Sequence, residues 1–165
     1  TETETEAETS TVETNLSEQP STGSTYSGHT DLYPNVPLDN SFKAWVIEYA
    51  TQKGVYPGLV FGIMYVESGF DSKAYGGGNY GLMQINQVNL APYGITDPYD
   101  PYQNAKAGID ILAYFFERYP DQWNRVLMSY NSGEGAATQQ WNSGVTDTQY
   151  TIAVNRAMQV LSKGV

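Results

Sequence analysis

From Asp39 onward, large apolar residues return every three or four positions, and that spacing favours helix over any other regular structure. Asp39-Asn40-Ser41 offers capping residues, and Phe42, Trp45, Val46, Tyr49 and Ala50 then share one face. Gly54 ends this helix, and Pro57 suits the first turn of the next. Leu59, Val60, Ile63 and Met64 line the core side of that second helix, and Glu67 falls in its last turn. Gly69 and the Gly76-Gly77-Gly78 run break the pattern, and a short helix is expected within Leu82–Asn89. Asp100-Pro101-Tyr102-Gln103 reads as a helix start with a capping box, leading into a buried stripe of Ala105, Ile109, Leu112, Ala113 and Phe116. Asp121 opens a helix to about Tyr130, and Gly135–Trp141 suits a short one. Asp147 caps a last helix faced by Tyr150, Val154, Ala157, Met158 and Leu161. Strand alternation is scarce. The expectation is an all-α, multi-helix domain of six or seven helices with a central buried helix, over residues 39–165.

Residues 1–38 have another character. They are rich in Thr, Glu, Ser, Gly and Pro and poor in large apolar side chains, a composition that cannot offset the entropy of ordering. They read as a disordered, self-repelling acidic linker, with the chain beginning to pack near Tyr33-Pro34 and Val36-Pro37. Residues 1–40 hold six Glu, two Asp and no Lys or Arg, so they carry most of the chain's net charge of −10. The remainder is nearly balanced, with no basic stripe, and no nucleic-acid partner is expected. No run is long and apolar enough to span a membrane. The chain opens on Thr-Glu repeats with no leader-like segment, as a trimmed or mature fragment would.

The chain has no cysteine, and its one histidine, His29, lies in the linker. Thiol, Ser-His and His-ligated metal chemistry are thereby excluded from the folded part. Acid–base work falls to carboxylates, tyrosines or lysines, and neither metal nor organic cofactor is expected. The stretch Val66–Asn86 is the best place for such work. Glu67 follows Phe61–Val66, all apolar or glycine, and burial there disfavours the ionised carboxyl. A solvated glutamate at a helix end is the ordinary alternative. A negative charge at a helix C-terminus is mildly unfavourable with the dipole, so its presence needs some compensation.

Four ordered blocks resemble the lytic transglycosylase (SLT-type) domain, a relative of goose-type lysozyme. They are Glu67-Ser68-Gly69-Phe70, Gly78–Asn86, Asp100–Asn104 and Ser129-Tyr130-Asn131-Ser132-Gly133. The resemblance spans about residues 41–163 and implies a lysozyme-like fold. It implies Glu67 as the catalytic acid, with Ser68, Asn79, Tyr80, Met83, Gln84, Tyr130, Asn131 and Tyr150 binding substrate. Met83 would pack on a sugar face, and Gln84 would offer donor and acceptor to sugar hydroxyl or acetamido groups. For Tyr130, packing at a helix end is as good a reading as direct contact. Two features depart from the family pattern: the Ala74–Gly81 loop is a residue short, and Asn79 stands where a small residue is usual.

Glycosidases normally use two carboxylates. Asp71, Asp97, Asp100 and Glu134 are near predicted loops, but Asp100 is better explained as a cap and none is a convincing partner. The resemblance therefore implies a single-acid cleavage of the MurNAc–GlcNAc bond of peptidoglycan, giving a 1,6-anhydro product. A muramidase on the same fold and a non-catalytic peptidoglycan-binding module remain the alternatives. Such a protein is expected as a monomer, outside the cytoplasm, on or near a bacterial cell wall.

Overall fold

Seven α-helices and three two-residue strands make up residues 30–162, the part of the chain that the computed structural model describes. The expected linker lies mostly outside these residues. Its last part is corrected: Thr30–Leu32 forms a 3-10 turn, and Tyr33 and Val36 are buried in the core. The Tyr33 ring sits 4.9 Å from that of Phe61, and its carbonyl accepts Lys43 Nζ. Packing starts at Tyr33 and Val36, where the sequence expects it, and it reaches the core because two apolar side chains suffice to pin a short segment.

Helix α1 (Asn40–Gln52) is capped by Asp39, whose carboxylate accepts the Ser41 and Phe42 amides. Trp45 stacks on Tyr49 at 5.3 Å and meets Tyr102 edge-on at 5.1 Å, joining α1 to α4 (Pro101–Arg118). Helix α2 (Pro57–Ser68) has no side-chain cap, and residues 58–64 are all buried. A cap contributes about 1 kcal/mol, whereas fully burying Leu59, Phe61, Ile63 and Met64 contributes roughly 2 kcal/mol each. Packing therefore holds α2 in place. It is the central buried helix, while α4 (Pro101–Arg118), though longest, leaves Tyr114 exposed and buries Phe115 more deeply than Phe116.

The glycine-rich stretch folds as a small antiparallel sheet in the order β1 (Tyr75–Gly76), β2 (Asn79–Tyr80) and β3 (Ile85–Asn86). Tyr75 pairs with Tyr80, and Asn79 with Asn86. The helix expected over Leu82–Asn89 is reduced to α3 (Gln87–Leu90), because Ile85 and Asn86 join the sheet. Helices α5 (Trp123–Ser132) and α6 (Glu134–Asn142) follow. Helix α7 (Gln149–Leu161) packs most extensively on α2. Gly62 permits that approach: a Cβ there would lie 2.8 Å from Met158 Cγ. The same packing brings Tyr150, in the first turn of α7, to the last turn of α2.

Candidate active site

Glu67 reaches its position because α2 ends there. Gly69 closes the helix in the left-handed region at φ 60, and its amide returns to Met64 and Tyr65. Ser68 Oγ donates to Met64 O and, at 2.8 Å, to Leu82 O, fastening α2 to the loop between β2 and β3. That loop is also gripped by α4 and α5. Asn104 Oδ1 accepts the Met83 amide at 2.8 Å, and its Nδ2 donates to Tyr80 O and Pro98 O. Tyr130 Oη donates to Met83 O at 2.8 Å.

Glu67, α3, α4, α5 and the sheet enclose a cleft of about 580 Å³. Its polar side is Asn79, Gln84, Asn86 and Asn89, and its apolar side is Tyr93, Ile111, Tyr114 and Phe115. Asn86 Nδ2 donates to Asn79 Oδ1, and Asn79 Nδ2 to Gly76 O, so one amide fixes the next. A mixed wall of this size suits a ligand with alternating apolar faces and hydroxyl edges.

Two carboxyl groups line the cleft, shifted in opposite directions. Burial pushes the Glu67 carboxyl above the usual range, and a 2.7 Å hydrogen bond from Tyr150 Oη opposes this without overcoming it. Burial raises the Tyr150 phenol, and the facing Glu67 charge adds to that, so it stays a donor. Tyr130 is raised the same way, by burial first and by Glu67 second. Glu134 is held below the usual range by hydrogen bonds from Tyr119 and from Arg118 Nε, the latter at 2.6 Å. Of the two, Glu67 is the one whose protonated form the site favours, and Glu134 the one whose ionised form it favours. Among the described residues, no His, Cys, Asp and Glu side chains cluster as a metal site would.

Of the residues singled out in the sequence, the cleft collects Glu67, Asn79, Gln84, Tyr130 and Asn131, and Tyr150 joins through Glu67. Three are corrected. Met83 is fully buried against Gly108 of α4, where any side chain would collide with its sulfur, so it cannot lie on a sugar face. Ser68 spends its hydroxyl on the loop, and neither it nor Tyr80 lines the cleft. Strand alternation sends Asn79 inward and Tyr80 outward onto Tyr75 and Tyr99. Gln84 is corrected in part: its amide nitrogen donates to Ala74 O and Gly81 O, which leaves only the acceptor oxygen. Asp71, considered as a second acid, instead caps a turn by accepting the Lys73 amide. Asn86, Asn89, Tyr93, Tyr114 and Ser132 were not singled out, and only Asn86 and Ser132 stood in matched blocks.

The transglycosylase SLT domain model matches residues 44–152. The "Transglycosylase" of Enterobacteria phage PRD1 is 32% identical over 113 residues, covering 68% of this chain and 41% of that protein. Membrane-bound lytic murein transglycosylase C of Haemophilus ducreyi is 32% identical over 139 residues, covering 73% of this chain and 36% of that protein. The F-type enzyme of Desulfosudis oleivorans is also 32% identical, over 114 residues, covering 65% of this chain and 24% of that protein. The chain thus spans well under half the length of these relatives. An inactive variant of the lytic transglycosylase Slt of Pseudomonas aeruginosa shares the fold, with a TM-score of 0.59 and 21% identity over 70% of this chain and 23% of that one.

Proposed function

The chain belongs to the transglycosylase SLT domain family, and from that premise we propose that it is a peptidoglycan lytic transglycosylase with Glu67 as its only acid and base. The observation that carries this reading is the contrast within one cleft. Glu67 is withdrawn from solvent, met by a neutral phenol and shifted toward its protonated form, whereas Glu134, the other carboxylate lining the cleft, is paired with Arg118 and shifted toward its ionised form. The folded unit from residue 30 onward would be the catalytic domain.

Glu67 gives its proton to the glycosidic oxygen as the C1–O bond breaks, and positive charge develops at C1 of the N-acetylmuramoyl unit. The substrate's acetamido oxygen stabilises that centre. Glu67, now a carboxylate steadied by Tyr150, takes the proton of the same sugar's 6-hydroxyl, and O6 bonds to C1. The product is a 1,6-anhydro end, no water is consumed, and Glu67 is protonated again. Asn79, Gln84 Oε1 and Asn131 are the candidate contacts for hydroxyl and acetamido groups, with Tyr130 holding the loop behind them.

On this reading the protein would work as a monomer, extracellular or associated with the bacterial cell wall, against peptidoglycan. Mass spectrometry of digested sacculi tests the reading. Anhydro ends are expected. Products carrying added water would make the protein a muramidase on this fold, and binding without any release would make it a peptidoglycan-binding module.

A further inference from the structure

We propose that Tyr75, Tyr80, Tyr99 and Lys73 form a second glycan-binding surface, on the outer side of the hairpin, that takes a polysaccharide strand bearing carboxylates. The identity of the polymer rests on the peptidoglycan reading of the cleft; the surface rests on its own geometry.

The rings form a continuous row. Tyr75 and Tyr80 have centroids 5.0 Å apart, and Tyr80 and Tyr99 5.7 Å apart. Lys73 Nζ stands 5.5 Å from the Tyr99 centroid. None of the four side chains is buried, and Tyr75 is 62% exposed. The turn beside Tyr75 is Gly76-Gly77-Gly78, with no side chain to cover the ring. A scattered exposed tyrosine is ordinary, but a row of three touching ones is an unusual surface for a chain to leave open. Aromatic faces pack on the C–H faces of sugars, while phenol edges meet hydroxyl groups.

The charge arrangement selects the kind of strand. Lys73 makes no ion pair among the described residues. Asp71, Asp97 and Asp100 each give one carboxylate oxygen to a backbone amide, of Lys73, Tyr99 and Gln103 respectively. The ammonium is left as the group there with donors to offer outward, and a carboxylate on the strand is its complement. None of the four residues lines the cleft. Strand β2 nevertheless serves both places, with Asn79 facing in and Tyr80 facing out. A strand held on the rings would therefore neighbour the one being cut, and would keep the enzyme on an insoluble network between cuts.

The test uses the whole chain carrying Glu67→Gln, which binds without cutting, sedimented with insoluble sacculi and with chitin, an uncharged polymer. Tyr75→Ala in that background is expected to weaken retention on both by roughly three- to tenfold, with unchanged circular dichroism. Tyr75→Trp should restore it. Lys73→Glu should weaken retention on sacculi only. In the otherwise unaltered enzyme, Tyr75→Ala should cut short soluble oligomers at the parent rate. Undiminished retention of Tyr75→Ala overturns the proposal, and so does an equal loss in cutting of short oligomers, which would place Tyr75 in the cleft. If sacculi are neither bound nor cut, the reading of the cleft fails as well. If they are cut while Tyr75→Ala retention is unchanged, only the second surface fails.

Discussion

The two ends of the cleft hold the same side chain under opposite conditions. At one end Glu67 is half-buried, backed by α2 and met by a neutral phenol. At the other Glu134 lies near the surface, met by a guanidinium and a phenol that both donate to one of its oxygens. A phenol solvates a carboxylate without contributing charge, so desolvation keeps the upper hand at Glu67. A cation favours the ionised form outright, as at Glu134. The two carboxyls are thus set apart by their surroundings, burial at Glu67 and a cationic partner at Glu134.

The comparison breaks most visibly at Glu67 itself. Glu67→Gln should lower release from sacculi by at least roughly a hundredfold, the scale of a lost general acid and base. An equal loss in Glu134→Gln would erase the distinction between the ends. Tyr150→Phe comes next. It removes the one hydrogen bond that lowers the Glu67 value, so the acid should hold its proton to higher pH. The alkaline limb of the rate profile should move to higher pH, while turnover falls because the resulting carboxylate loses its donor. Glu134→Gln should cost activity no more than about fivefold, since exposed ion pairs are screened, and that cost should shrink in salt.

The smallest effect is on stability. Because the folded value of Glu67 is raised, its carboxyl favours the fold at low pH, and that contribution is lost as pH rises through the folded value. Glu67→Gln should therefore gain in melting temperature over the parent as pH increases through that window. A constant difference at all pH values would show that Glu67 titrates as it does in the unfolded chain.

Much of the helical frame is legible in the residues, because caps and periodicity are local. Asp39 and Asp100 cap as expected, and Pro57 and Pro101 occupy first turns. Where side chains had a choice of partner, local reasoning failed. Gln103 does not complete a capping box at Asp100; its oxygen accepts the Thr96 and Asp97 amides. The last helix is capped by Thr148 with Thr151, and Asp147 accepts Asn124 instead. Asp121 sits at φ 62 ahead of a helix that starts at Trp123. In the site, Glu67 stood out because its sequence neighbours are its burial. The inward or outward direction of Asn79 and Tyr80 depended on a sheet of three two-residue strands, too short to leave an alternation to read. Met83 was misjudged because its seat, Gly108, is 25 residues away.

The loop that carries Met83 ties together distant parts of the chain: Ser68, Asn104 and Tyr130 reach it across 14, 21 and 47 residues. Each of those loops must close before its hydrogen bond can form. The Met83 amide proton should accordingly exchange with solvent only on global unfolding, among the slowest in the protein, whereas amides of the hairpin turn exchange through local opening. Glu67 and the wall facing it both depend on this tertiary closure, α2 because packing holds it and the loop because its partners are distant. A partly folded chain would then carry the acid without a place to use it.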